Sequence, residues 1–270
     1  MSVNTQSRTV LITGASRGIG KACALEFAQK GFKLALVSRA KEAPGELLQK
    51  LNSLGNSDKN FEWKWYSCDL SQNDQINTLC KQIDNDFDAI DILLNNAGIY
   101  KLDEPVYKLN IDNTDFNQSI NVNLTAPYLL CRHFAKGMKE RGFGRIINIS
   151  SVSGIKGEKF GKAYSASKFG LIGLTQSIAL ELAEYGVTAN CICPGWVATD
   201  MALEQLKDPK WCEENQIPPD ESIAIAELSV PQKRLLDPFE IANLASFLSA
   251  DASKGITGQA ITICGGLSLC

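Results

Sequence analysis

The sequence predicts an α/β domain built on a doubly wound, mainly parallel sheet of seven strands. Three observations carry that prediction. Seven short apolar or β-branched runs recur along the chain, separated by segments with helical spacing. The first run ends in a glycine-rich turn, Gly14-Ala15-Ser16-Arg17-Gly18-Ile19-Gly20, that opens a helix. No linker, repeat or break in composition divides the 270 residues, which are read as one domain, 1–270.

The first strand is Thr9 to Thr13, followed by a helix with Ile19, Cys23, Phe27 and Ala28 on one face. A strand, a glycine turn and a helix together are the setting in which a helix N-terminus receives a phosphate. Glycines let the backbone turn tightly and approach a pyrophosphate. The bland alternative is a glycine turn without a ligand. Lys33 to Val37 is the second strand. A NAD site carries an acid at this strand's end, for the ribose 2′-hydroxyl. Residues 31–41 contain no Asp or Glu; Ser38-Arg39 stands there, and Arg17 sits in the glycine turn. Guanidinium groups suit the additional 2′-phosphate of NADP.

A helix is expected over Glu42 to Leu54, a polar loop over 55–60, and a third strand over Phe61 to Ser67. Asp69-Leu70 follows that strand, where an adenine ring could meet an acid. After a helix near Asn73 to Phe87, the fourth strand, Ile90 to Leu94, runs into Asn95-Asn96-Ala97-Gly98. Small and amide residues at a strand's C-terminal end belong in the crevice where open α/β sheets bind ligands. Residues 114–140 read as helix, kinked or restarted at Pro127. Gly144 to Ile149 is the fifth strand and ends at Ser150-Ser151. Val187 to Cys193 is the sixth, stopped by Pro194-Gly195. Residues 196–236 show no strand pattern and read as a substrate loop or lid. A last helix opens at Asp237-Pro238, and Gly258 to Cys264 is the seventh strand.

Between the fifth and sixth strands lies a helix with Tyr164 and Lys168, four positions and one turn apart on one face. A free tyrosine titrates near pH ~10. An ammonium one turn away favours the phenolate and lowers that pKa. The pair reads as a general acid/base in which Lys168 tunes Tyr164; the bland alternative is an ordinary amphipathic helix.

Composition narrows the classes. Hydrophobic residues make up 44% and charged residues 21%, ordinary for a globular protein with a large core. A net charge of −3 gives no reason to expect nucleic acid or an anionic membrane as partner. Met1 to Arg8 is polar, without a signal peptide's apolar core, and no run nears the ~18 apolar residues that span a bilayer. Nine scattered cysteines without a CxxC suit a reducing cytoplasm, with Cys191 and Cys193 as small core residues. With His133 as the sole histidine, no metal site is expected.

Taken together, Thr13 to Gly20, Asn95 to Gly98, Asn123, Ser151, Tyr164, Lys168 and Pro194-Gly195 resemble the short-chain dehydrogenase/reductase family, in order and in spacing. Tyr164 stands thirteen positions after Ser151. Within that family the chain looks most like 3-oxoacyl-(acyl-carrier-protein) reductases. The resemblance implies a Rossmann-type fold, NADP(H) as cofactor, and reduction of a carbonyl to an alcohol. Tyr164 would supply the proton. Lys168 would lower its pKa and hold the nicotinamide ribose. Ser151 would hydrogen-bond the carbonyl, and Asn123 would hold a water linking Lys168 to solvent. Gly14, Ser16, Arg17, Gly18, Ile19, Gly20, Ser38 and Arg39 would hold the cofactor's phosphates. Asp69 and Leu70 would lie beside the adenine, and Asn95, Asn96, Ala97 and Gly98 along the crevice. Pro194, Gly195, Val197 and Thr199 would meet the carboxamide.

The implied substrate is a 3-oxoacyl thioester, with acyl carrier protein as a candidate carrier, in the setting of fatty acid biosynthesis; the implied assembly is a homotetramer. Two departures stand out. Cys264-Gly265-Gly266 replaces the usual Asp-Gly-Gly, and Tyr185 replaces a basic residue before Gly186. Lys136, Lys139, Arg141 and Arg145 form a basic cluster that an acidic carrier protein could use; its bland reading is a solvated helix end. Two other functions stay open: an NADP-dependent enzyme of a sugar, steroid or other small alcohol, and a non-catalytic NADP-binding sensor.

Overall fold

A computed structural model describes residues 8–57, 61–107 and 113–269. In chain order the first half runs β1 (Thr9–Thr13), α1 (Gly18–Gln29), β2 (Lys33–Ser38), α2 (Gly45–Ser57), β3 (Trp63–Ser67), α3 (Asn73–Asp86) and β4 (Ile92–Asn95). Then come α4 (Thr114–Ile120), α5 (Ala126–Arg141), β5 (Gly144–Ile149), α6 (Lys162–Leu182) and β6 (Val187–Pro194). The chain closes with α7 (Asp200–Leu206), α8 (Pro209–Asn215), α9 (Ser222–Ser229), α10 (Pro238–Ser249) and β7 (Ala260–Ile263).

All seven strands are parallel, in the order β3-β2-β1-β4-β5-β6-β7. Period-two alternation sorts the strand side chains onto two covered faces. Val10, Ile12, Leu34 and Leu36 pack with Cys23 and Phe27 of α1 and Ile241 and Leu248 of α10. Leu11, Val37 and Leu93 pack on the opposite face with Ile83 of α3 and Leu130, Phe134 and Met138 of α5. The chain steps outward from β1 in both directions, so the switch between β1 and β4 opens a crevice at the strands' C-terminal ends.

Three expectations need correction. Helix α2 begins later and continues through Ser57, into the expected polar loop; 58–60 lie outside the described residues. Residues 196–236 are largely helical. Helices α7 to α9 are seven or eight residues each, too short for a periodic stripe to show. Helices α7 and α8 are started by caps: Thr199 Oγ1 accepts from Ala202 N, and Asp208 Oδ1 accepts from Trp211 N at 3.0 Å, with Pro209 in the first turn. Leu206, Trp211, Cys212 and Ala226 give them a small core of their own.

The basic cluster is the third. Arg145 is 3% exposed, donating to the Gly144 and Gly186 carbonyls and stacking on Phe143. Arg141 turns to the Ile90 carbonyl, and Lys139 lies over the Tyr185 ring. No continuous patch of four cations is presented.

At Pro127 the helix restarts, as expected. A π-turn over Asn121–Thr125 joins α4 to α5, and Pro127 sits in the first turn of α5. Proline has no N–H to offer the Asn123 carbonyl, which removes one α-helical bond at that point. Among the described residues, no helix is long and apolar enough to cross a membrane.

Candidate active site

A cleft of about 640 Å³ lies along the strands' C-terminal ends. At one end Gly14 (φ 69°) and Gly18 (φ 55°) adopt the left-handed backbone that glycine tolerates. The N-terminus of α1 opens onto the cleft there, lined by Gly14, Ser16, Arg17, Gly18 and Ile19. Gly20 lies behind this wall. A methyl group on it would fall 2.1 Å from the Gly14 carbonyl oxygen, so its smallness packs α1 against the turn and does not meet a ligand. Ser38 and Arg39 after β2, and Asp69 and Leu70 after β3, line the same end. Arg17 reaches across to α7, pairing with Asp200 at 3.5 Å and Glu204 at 3.2 Å.

The two asparagines after β4 differ. Asn96 Nδ2 donates to the Thr13 carbonyl at 2.9 Å, and the Asn96 and Ala97 N–H groups donate to Thr13 Oγ1, each at 3.0 Å. This clamp fixes the glycine turn to β4, with Asn96, Ala97 and Gly98 on the cleft wall. Asn95 does not line the crevice: it is buried and donates to Asn148 Oδ1 at 2.8 Å, beneath the sheet's edge. Asn123 sits behind the wall. Its side chain is fully buried, bonded both ways to the Ile99 backbone at 2.9 Å and donating to Ser167 Oγ at 3.0 Å. It braces the wall and its side chain is not turned to the cleft.

Ser151, Tyr164 and Lys168 come together on the cleft floor. Ser151 follows β5 in extended conformation, and its Oγ accepts from Ser153 N at 3.0 Å. Lys168 is 3% exposed and donates from Nζ to the Ile149 carbonyl at 2.7 Å. Its Nζ lies 5.5 Å from the Tyr164 ring centre. Burial pushes the Tyr164 hydroxyl up to about 12; the facing Ser151 hydroxyl pulls it partly back, and Glu158 pushes it further up. Burial likewise brings Lys168 down to about 8. Desolvation is the largest cause for both groups and disfavours both charged forms. Tyr164 is held as a neutral O–H donor at neutral pH.

The far end of the cleft holds residues that sequence reasoning missed. Glu158, in the loop between Ser151 and Tyr164, is half-buried. Its carboxyl accepts from Ser153 Oγ at 2.9 Å and from Gln205 Nε2 of α7 at 2.8 Å. Burial raises its pKa, and those donors oppose the rise. The Tyr100 hydroxyl is buried facing Glu158 without hydrogen-bond alignment, and its ring meets Tyr164 edge-on at 5.4 Å. Trp196, Met201, Trp211 and Asn215 complete this end. A single acid in a glycine-flanked loop carries no periodic signal, so nothing in the pattern marked Glu158. Pro194, Gly195, Val197 and Thr199 line the cleft between the two ends. Gly195 is required by Cys264: a methyl group would lie 2.8 Å from the Cys264 Cβ.

A parallel doubly wound sheet, a glycine turn at a helix N-terminus, and a serine, tyrosine and lysine on the cleft floor define an oxidoreductase of the dinucleotide-binding class. The chain belongs to the short chain dehydrogenase family, whose model matches residues 8–210. It is 37% identical to an uncharacterized oxidoreductase, YxjF, of Bacillus subtilis, over 97% of this chain and 98% of that one. It is 36% identical to a 3-oxoacyl-(acyl-carrier-protein) reductase of Rickettsia bellii, over 98% of each chain. It is 35% identical to an acetoacetyl-CoA reductase of Shinella zoogloeoides, over 96% of this chain and 98% of that one. Among solved structures, an actinorhodin polyketide ketoreductase variant with NADPH superposes with a TM-score of 0.88. It is 30% identical, over 98% of this chain and 99% of the other.

Proposed function

We propose that the protein reduces a carbonyl to an alcohol using NADPH, with a 3-oxoacyl thioester as substrate. The observation that carries this reading is the meeting of Ser151, Tyr164 and Lys168 on the floor of one cleft whose other end is the glycine turn.

The cleft fits a dinucleotide. Gly14 and Gly18 hold backbone that side chains would obstruct, since a methyl on Gly18 would lie 3.1 Å from Thr199 Cγ2. Gly14, Ser16, Gly18 and Ile19 would hold the pyrophosphate at the α1 N-terminus. Arg39, Ser38 and Arg17 would take the 2′-phosphate. Asp69 and Leu70 would flank the adenine, and Asn96, Ala97 and Gly98 the middle of the molecule. Tyr164 and Lys168 would hold the ribose, and Pro194, Gly195, Val197 and Thr199 the carboxamide. When bound, the cofactor supplies a hydride. Tyr164 keeps its proton at neutral pH and releases it to the oxygen that gains charge. Ser151 hydrogen-bonds that oxygen, and the Lys168 ammonium, fixed by Ile149, stabilises the phenolate left behind. Asn123, braced by Ile99 and Ser167, would hold a water linking Lys168 to solvent. Residues 196–236 form the substrate lid.

Two relatives bear names of 3-oxoacyl and acetoacetyl thioester reductases, which supports the thioester. A second reading, a small polyol or sugar, is favoured by Glu158, Gln205 and Asn215 beside two tryptophans. A pure sensor has no use for the floor's three polar groups. Exposed Phe116, Tyr128, Phe169 and Leu180 support assembly into a homotetramer. The test is NADPH consumption across 3-oxoacyl thioesters, quinones, sugars and steroids. The thioesters should show the highest kcat/KM; no NADPH oxidation with any of them would overturn the reading.

A further inference from the structure

We propose that Glu158 is a specificity-determining residue, an acidic wall that rejects substrates carrying a negative charge next to the reacting ketone. The inference rests on the carbonyl-reductase reading and refines its substrate class to neutral 3-oxoacyl derivatives.

The position of Glu158 makes the case. It lines the same cleft as Tyr164 and is near enough to raise that group's pKa electrostatically. It is bridged to Tyr164 through Tyr100, whose ring sits 5.4 Å from the Tyr164 ring. Both carboxyl oxygens accept hydrogen bonds, from Ser153 Oγ and Gln205 Nε2, which is the arrangement of an ionised carboxylate and fixes it in space. Its neighbour Lys159 is directed elsewhere, to the Glu214 carbonyl and the Phe160 ring. Asp103, itself 3.9 Å from the Lys162 ammonium, lies near the same corner. In a 3-oxoacyl group the C1 carbonyl is two bonds, about 2.5 Å, from the ketone carbon. In the proposed pose, a ketone held at Tyr164 turns its C1 substituent toward this corner. A thioester or amide places no charge there; a free 3-oxo acid places a carboxylate facing Glu158, where like charges repel. Gln205 belongs to α7, so the same contact ties the 196–236 segment to the reacting end of the cleft.

The test compares NADPH-dependent kcat/KM for acetoacetamide and acetoacetate, near-isosteres differing in charge, in the wild-type protein. S-acetoacetyl-N-acetylcysteamine serves as the thioester standard. The amide should exceed the acid by at least about tenfold; a ratio near one would overturn the proposal. In Glu158→Gln the acid should gain at least about tenfold relative to the amide, and Glu158→Asp should retain the discrimination. Equal losses for acid and amide in Glu158→Gln would mean a merely structural role and overturn the proposal. Turnover of the thioester with no charge discrimination sinks this inference alone. Turnover of none of the three sinks the thioester-reductase reading and this inference with it.

Discussion

The Lys168 ammonium lies 5.5 Å from the centre of the Tyr164 ring and is anchored by a 2.7 Å hydrogen bond to the Ile149 carbonyl. The two groups are therefore held as a pair by β5, independently of any ligand. Lys168 is buried and Tyr164 half-buried, and desolvation biases each toward its neutral form: the tyrosine pKa up, the lysine pKa down.

That bias has a signature in stability. Folding moves Lys168 from 10.5 to about 8, so between those values the unfolded chain binds more protons than the folded one. Stability should rise with pH across that window and be lower below pH 8. The cost of the buried charge below pH 8 is about 3 kcal/mol. Chemical denaturation of wild type and Lys168→Met from pH 7 to 10.5 isolates the effect. The difference between the two curves should shift in favour of wild type as pH rises; parallel curves would show that Lys168 is not desolvated.

Cofactor choice turns on Arg39. Arg17 is shared with Asp200 and Glu204, whereas Arg39 stands exposed at the cleft's edge beyond β2. Arg39→Ala should weaken NADPH binding at least about tenfold, a loss of one charge-assisted contact of ~1.5 to 3 kcal/mol. NADH affinity should change by less than about twofold. Calorimetric titration of both cofactors decides it, and equal losses would remove the 2′-phosphate site from Arg39.

Gly20 tests the packing of the glycine turn without touching the cleft. A Cβ there meets backbone, the Gly14 carbonyl oxygen at 2.1 Å, which cannot swing aside. Gly20→Ala should cost about 2 to 3 kcal/mol in urea denaturation. A stability change under about 0.5 kcal/mol would mean that the turn is free to shift.

Much of the framework was legible because it depends on local rules. Val10-Leu11-Ile12 reads as a strand because β-branched and apolar residues buried on both faces leave no other pattern, and Tyr164 and Lys168 fall on one face by helical geometry alone. Asp208-Pro209 was equally legible as a helix start, but two-turn helices have no stripe to confirm it. Asn95 was misplaced because an amide's direction is set by long-range partners, here Asn148, far along the chain. The Tyr164 pKa was only partly legible for a related reason. Sequence spacing reports the neighbouring charge, whereas the larger contribution, desolvation, comes from the whole surrounding fold. Glu158 is the same lesson at the substrate end: its partners Ser153 and Gln205 come from separate elements.

The central claim is that Tyr164 is the proton donor of a carbonyl reduction. Its most direct test is the NADPH-dependent turnover of S-acetoacetyl-N-acetylcysteamine by wild type and Tyr164→Phe, with NADPH affinity measured alongside. Removing the hydroxyl leaves the ring against Tyr100 and should lower kcat by about 10² to 10⁴-fold while NADPH affinity stays within about threefold. A Tyr164→Phe protein that turns over at the wild-type rate would contradict the account.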